Sequence, residues 1–363
     1  MNTMISTLGR YFGMRFLSAI AGVFLTVFVL IFTIDLVELM RRAGEAEGAS
    51  TMRLARLALF RTPAVAEQVL PFAVLFAALA TFLNLSRRLE LVVARAAGVS
   101  AWQFSLPIVA LAIIIGVLAT TAYNPLAMHL KDEANRIETQ LFQRKGAGGS
   151  ERGVWFRQRS VDGDAILRAA SLDQSAFILH DVTAFVFDTN GDFLERVEAP
   201  QAQLVGNHWR FQDARVLSVG IEPQQVDRYL LATYLSAAEI RSAVGQAQAV
   251  SFWSLPDVVR TLDLAGLDAT RYRLKYQSLL ARPALLTAMV LIAASVSLRF
   301  LRSGGFAGMV LSGVAAGFVL YVATRIVEDL GTAGLVSTVF AAWAAPVIGG
   351  MMGVLTLLHR EDG

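Results

Sequence analysis

Residues 17–34 read LSAIAGVFLTVFVLIFTI, eighteen consecutive residues without a charge. As a helix rising 1.5 Å per residue, that run is about 27 Å long, close to the least that crosses a hydrocarbon core of about 30 Å. Inside a bilayer no water satisfies the backbone, so an apolar run of this length is helical. Five further runs are comparably long and apolar, three of them carrying one or two charges: roughly Ala64 to Leu85, Trp102 to Thr121, Leu274 to Leu298, Gly308 to Val327 and Leu335 to Leu358. The chain as a whole agrees, with 55% hydrophobic and 17% charged residues and a mean hydropathy of +0.54. No small-residue cleavage pattern follows the first run, which is therefore expected to be a retained span. The fold class expected is an α-helical membrane protein of six transmembrane helices with an inserted all-β, jellyroll-like domain.

Between the third and fourth runs the chain is more polar, from about Tyr123 to Tyr272. The expected organisation is spans one to three in residues 1–122, an inserted domain in 123–272 and spans four to six in 273–363. Met1 to Phe16 places Met4, Ile5, Leu8, Tyr11, Phe12 and Phe16 on one helical face, which reads as an interfacial helix. Asp35 to Thr62 is polar, with a surface helix expected near Met52 to Phe60. Orientation follows the short basic loops. Arg10, Arg15, Arg87, Arg88, Arg95, Arg299, Arg302 and Arg360 share one side, read as cytoplasmic, while Glu328 and Asp329 fall on the other. Both termini are expected inside and the inserted domain outside.

That domain reads as β. Candidate strands are Gly153 to Arg157, Ala165 to Ala169, Phe177 to Asp188, Phe193 to Val197, Val216 to Val219 and Tyr229 to Leu235, in a total of about eight short strands. Asn190-Gly191 and Gly206-Asn207 are hairpin signals. A sandwich, a jelly roll and an open barrel all fit this pattern. Ser254 to Leu264 reads as a helix leading back to the membrane.

Several chemistries lose support. There is no cysteine, so no disulfide or thiolate site. His129, His180, His208 and His359 lack ligand spacing. No G-x-x-x-x-G-K-[ST] occurs, and Gly146 to Ser150 follows Arg144-Lys145 as a polar linker rather than a phosphate cradle. No basic block with interleaved aromatics points to nucleic acid. No catalytic, cofactor or metal site is expected.

Two sets of residues carry function. Arg87-Arg88-Leu89-Glu90-Leu91-Val92-Val93-Ala94-Arg95-Ala96-Ala97-Gly98 is a short charged segment between two apolar runs. Ser86 is its expected N-cap and Gly98 its C′ residue. Leu89, Val92, Val93, Ala96 and Ala97 share one face, opposite Arg87, Glu90, Ala94 and Arg95. One reading is a connector whose arginines enforce topology. The other is a docking helix that lays its apolar stripe into a partner's groove while Glu90 meets a basic residue there. The second set is cationic: Arg41 and Arg42 beyond the first span, Lys131 and Arg136 beyond the third, and Arg282 before Pro283. Counting from Arg299 puts Arg282 roughly 25 Å across the bilayer. Snorkelling at helix ends explains such residues. So does a collar for an anionic headgroup, since the guanidinium fork suits phosphate.

Met1 to Gly13, Leu36 to Gly44, Arg88 to Gly98 and Arg282-Pro283 together resemble the LptF/LptG permeases of lipopolysaccharide export. The six-span plan is similar and the likeness covers essentially the whole chain. E-L-V-V-x-x-A-x-G with the basic pair after span one looks more like LptG than LptF. The resemblance implies an LptF-like sister permease, an LptB-like ATPase dimer below, lipopolysaccharide in the cavity between the two permeases, and LptC-like and LptA-like proteins bridging to the outer membrane. It places Arg88, Glu90, Leu91, Val92, Arg95, Ala96 and Gly98 in the ATPase-coupling helix. Arg41 and Arg42 match positions that contact lipid A phosphates, with Arg136 a looser match. Arg282 departs from that pattern and joins the collar on its depth alone. The expected place is the bacterial inner membrane, and the chain itself is expected to be non-catalytic. Alternatives are export of a lipoprotein or phospholipid, and a membrane-anchored scaffold or sensor.

Overall fold

Six helices are long and apolar enough to cross a membrane: Leu8–Ala43, Thr51–Arg87, Trp102–Glu138, Thr270–Ser297, Val310–Thr332 and Thr338–His359. The computed structural model describes residues 2–43, 50–90, 93, 96–142, 154–160, 163–173, 178–188, 191–206, 208–218, 220, 222–233, 250–264, 268–300 and 306–361. The chain divides into two compact units. One holds Met1–Glu138, Ser251–Leu255 and Thr270–Gly363, the other Thr139–Val250 and Pro256–Ala269.

The helices are α1 (Asn2–Ala43), α2 (Thr51–Arg87), α3 (Ala101–Leu118), α4 (Asn124–Phe142), α5 (Leu255–Leu264), α6 (Thr270–Phe300), α7 (Phe306–Thr332) and α8 (Thr338–Glu361). They run further than hydropathy alone indicates. The expected interfacial helix is the first part of α1, and the expected surface helix near Met52 is the first part of α2. Polarity ends an apolar run, but it does not end a helix; that takes a proline, a glycine or a cap. A five-residue π-helical turn, Ala119–Tyr123, joins α3 to α4. Past Tyr123 the helical period continues, and α4 buries Ala127, Met128 and Ala134. At its other end α3 starts with a capping box. Ser100 Oγ accepts from Gln103 N at 3.2 Å, and Ser100 N donates back to Gln103 Oε1 at 3.0 Å.

Phe12 and Phe16 of α1, Phe82 of α2 and Phe104 of α3 are wholly buried. Phe104 meets Phe12 and Phe82 edge-on, with ring centroids 6.4 and 6.3 Å apart. Helix α7 joins the bundle by a small-residue contact. A Cβ at Gly317 would lie 2.2 Å from a Leu75 methyl, so a larger residue there would push the Leu75 side chain aside. Coverage is uneven. The most apolar windows of α1 and α7 are only 6% and 22% buried, against 61% for α2. Two spans thus present largely bare apolar faces.

The other unit is a single antiparallel sheet in the order β1-β2-β3-β4-β5-β6. Its strands are Val154–Ser160, Gly163–Asp173, Ile178–Phe187, Phe193–Val205, His208–Ser218 and Gln224–Ala232. The described residues thus give six longer strands where about eight short ones were expected. One expected strand stops at Val197 and the next starts at Val216, yet β4 and β5 run through Pro200, Arg210, Asp213 and Arg215. Pairing is interrupted at Asp181, Pro200 and Asp213, between registers that resume on either side. Asp181 and Asp213 have φ of 47° and 50°, a conformation aspartate tolerates better than most residues. A proline without an N–H fits at such an interruption. At one hairpin Val205 pairs with His208 and Gly206 has φ of 62°. Asn190, Asn207, Tyr234 and Leu235 lie outside the described residues. The sheet's core is Trp209, Phe211, Leu167, Leu179 and Val197. Buried Gln158 of β1 accepts from Trp209 Nε1 and donates to the Ala232 carbonyl of β6, each at 3.1 Å. The first and last strands are thereby tied, and the sheet is curled around its apolar side.

Candidate functional site

At the end of α1, Glu38 sits one turn before Arg41 and Arg42 and holds both. Arg41 donates from Nε and Nη2 at 2.8–3.0 Å, and Arg42 donates from Nε at 2.8 Å. One carboxylate against two guanidinium groups leaves positive charge in excess. The two side chains remain 75% and 54% exposed, so their other N–H groups face outward. Arg136 on α4 is similar, 72% exposed and paired with Glu133 at 2.9 Å. Arg61 of α2 lies 3.8 Å from both Asp35 of α1 and Glu138 of α4, tying three helices at this level.

Arg282 differs from these. It pairs with Glu67 of α2, and both are withdrawn from the surface, with side chains 15% and 3% exposed. Asn124, fully buried at the start of α4, donates to Glu67 Oε1 at 2.8 Å. Its own oxygen accepts from Phe252 N at 2.9 Å. The depth count enrols Arg282 in the collar, but the guanidinium is committed to an internal carboxylate. Glu67, in a run otherwise read as plain span, carries no period signal of its own. Removing one partner of such a pair strands a charge and costs about 3–5 kcal/mol, whereas an apolar replacement of both is close to neutral. Glu67→Ala is therefore expected to lower the unfolding temperature in detergent by several degrees, and Glu67→Met with Arg282→Met to recover most of it. Equal loss in the single and double variants would refute the pairing argument.

Arg325 on α7 is a cation that the sequence reading passes over. It is 48% exposed, stacks over Tyr321 with 5.3 Å to the ring centroid and donates to Glu328 at 3.2 Å. The signal that marks it is an arginine inside an apolar run, which is costly enough to suggest a use.

Opposite the arginine end lies the segment after α2. Ser86 is not a cap but a buried residue in the last turn of α2, which ends at Arg87. Arg88 N donates to the Asn84 carbonyl and Leu89 N to the Ser86 carbonyl, closing the helix. Leu89 has φ of 59°, a left-handed conformation that costs roughly 1–2 kcal/mol outside glycine. It redirects the chain, after which Glu90, Val93 and Ala96 are helical. Gly98 has the left-handed φ of 82° expected of a C′ residue. Leu91, Val92 and Arg95 lie outside the described residues. Leu89 and Val93 are 61% and 67% exposed. Arg88 and Ala96 are exposed as well. Glu90 turns inward: its Oε1 accepts from Tyr11 Oη at 3.2 Å and lies 4.0 Å from Arg15. The charge assigned above to a partner's base is thus engaged by α1. Among the described residues no group of three or more His, Cys, Asp or Glu is placed to hold a metal.

The arrangement is a membrane bundle with exposed cations at one end, an exposed apolar segment at the other and bare spans between. Comparison with known proteins gives the same type. The family model for lipopolysaccharide export system permease LptF/LptG matches residues 10–359. The lipopolysaccharide export system permease protein LptG of Haemophilus influenzae is 24% identical over 365 residues, covering 93% of this chain and 94% of that protein. That of Escherichia coli K12 is 24% identical over 335 residues, covering 89% and 90%. With a match from Arg10 to His359 in the last helix, and six spans around an inserted β unit, the chain belongs to the LptF/LptG family of lipopolysaccharide export permeases.

Proposed function

We propose that the chain is the LptG-type permease of an ABC exporter that lifts lipopolysaccharide from the outer leaflet of the bacterial inner membrane. Its partners are an LptF-like sister permease, an LptB-like ATPase dimer, and LptC-like and LptA-like proteins that continue the β unit into a periplasmic bridge. The observation that carries this reading is the pairing of bare α1 and α7 faces with exposed Arg41, Arg42 and Arg325. An amphiphile with several acyl chains needs apolar walls for its tails and cations for its phosphates. Arg136 extends the cationic set. Arg282 supports it from within, through Glu67.

Extraction exposes methylenes at about 0.8 kcal/mol each, so it needs an external source of work. The motor docks on Leu89, Val93 and their neighbours, with Arg88, Glu90, Leu91, Val92, Arg95, Ala96 and Gly98 forming the coupling element. The basic loops then face the cytoplasm and the β unit faces the periplasm. Co-purification tests the reading: the tagged chain should bring down a sister permease and an ATPase dimer, with lipopolysaccharide bound. In the same cells, Arg215→Cys on β5 should react with a membrane-impermeant maleimide once the outer membrane is permeabilised. A chain recovered alone, one holding a lipoprotein instead, or an introduced thiol that stays protected from the maleimide would overturn it.

A further inference from the structure

We infer that Tyr11 and Arg15 are positioning residues that clasp the docking segment to α1, so that force received there passes along one unbroken helix to Arg41 and Arg42. The inference rests on the reading of residues 86–98 as the motor's dock. Arg15 Nη2 donates to Tyr11 Oη at 2.6 Å, and Tyr11 Oη donates to Glu90 Oε1 at 3.2 Å. Arg15 also lies 5.1 Å above the Tyr11 ring and 4.0 Å from the same carboxylate oxygen. The three groups form a polarised relay in which each bond strengthens the next.

The covalent link on its own is a poor transmitter. The docking segment joins α2 through the turn at Arg88 and Leu89, and α2 holds Pro63 and Pro71 in its interior. A turn absorbs rotation, and internal prolines bend a helix. The other covalent link turns at Gly98 into α3, which holds Pro107 in its interior, so a further attachment is needed to fix the direction of a push. Helix α1 supplies it. Phe12 and Phe16, wholly buried beside the clasp, fix the rotation of α1 at this level. From there the helix continues to Ala43 without a proline. Thirty residues separate Tyr11 from Arg41, a rod of about 45 Å. The dock and the arginine pair are thus two ends of one element.

The test uses the chain assembled with its sister permease and ATPase in proteoliposomes, loaded with lipopolysaccharide. Arg15→Glu sets two carboxylates against each other. It should leave ATPase recovery and ATP hydrolysis within about twofold, but lower lipid released per ATP about fivefold. Arg15→Lys keeps a cation beside Glu90 without altering the dock and should hold that ratio within about twofold of the unaltered chain. Tyr11→Phe, which keeps the ring and removes the relay's hydroxyl, should fall between. An unchanged ratio in Arg15→Glu, or a fall in Arg15→Lys as large as that in Arg15→Glu, overturns the clasp while leaving the dock intact. Loss of ATPase recovery in Arg15→Glu shows that Arg15 serves the motor's dock rather than transmission, and overturns it too. Failure of the unaltered chain to hold the ATPase overturns the docking reading and the clasp together.

Discussion

In the Glu90→Arg variant, ATP hydrolysis should continue while lipopolysaccharide export falls about tenfold or more. The substitution sets an arginine where Arg15 now lies 4.0 Å from a carboxylate oxygen. At that distance two unit charges interact by about 1 kcal/mol in water and several times that near a protein surface. The change is from attraction to repulsion, so the docking segment leaves α1. The fold should survive, because the nearby core of Phe12, Phe82, Leu85 and Phe104 is apolar and does not depend on this carboxylate. The exposed Leu89 and Val93 remain available to a motor. The expected phenotype is therefore uncoupling rather than disassembly. It is measured as lipid released per ATP in proteoliposomes, beside the recovery of the ATPase on the tagged chain. Normal export by this variant would remove Glu90 from the coupling path.

How much of this is legible in the sequence varies with the kind of signal. The spans are, because eighteen uncharged residues admit few alternatives and hydropathy integrates over the whole run. The inserted β unit is, because hairpin glycines and alternation are local. Helix ends are not. Past Phe16 and past Tyr123 composition changes while the helical period persists, and composition is the louder signal. Strand number fails for a related reason. Arg210, Asp213 and Arg215 belong to a half-buried strand whose other face carries Trp209, Phe211 and Ala214. No strand is expected between Val197 and Val216, though the alternation around these charges is that of a strand.

The candidate cations show the same limit at the level of single residues. Arg41 follows an apolar run and Arg282 interrupts one, and in sequence both read as cations placed by membrane depth. Their difference lies in Glu38, one turn from Arg41, against Glu67, which is 215 residues away from Arg282. The first pairing follows from i,i+3 spacing on one helix. The second exists only once α2 and α6 pack, and no pattern in one helix announces it. Glu90 belongs with the second kind, since Tyr11 is 79 residues away from it. Sequence therefore locates charge by depth along the membrane. Packing decides which charges remain free for a ligand and which are spent within the fold.

Arg41→Glu combined with Arg42→Glu should weaken crosslinking to lipid A roughly tenfold, a change of about 1.4 kcal/mol that falls within the value of one charge-assisted hydrogen bond. In the unaltered chain Glu38 offsets part of the positive charge, and the exposed edges of both guanidinium groups keep the rest. The double substitution reverses the sign of this cluster, so an approaching phosphate meets three carboxylates. Stability should change little, because the three side chains are on the last turns of α1 and exposed. Arg136→Glu, also exposed and paired with Glu133, should produce a smaller loss, since it removes one cation rather than two. The order of effects is the informative outcome. A photocrosslinker placed at Val37, exposed beside Glu38 on α1, reads headgroup proximity in each variant. A lipoprotein cargo has no paired phosphates and would be indifferent to the change. Unchanged crosslinking in the double variant would leave Arg41 and Arg42 as interfacial anchors, and the headgroup would have to be held by other cations such as Arg325 on α7.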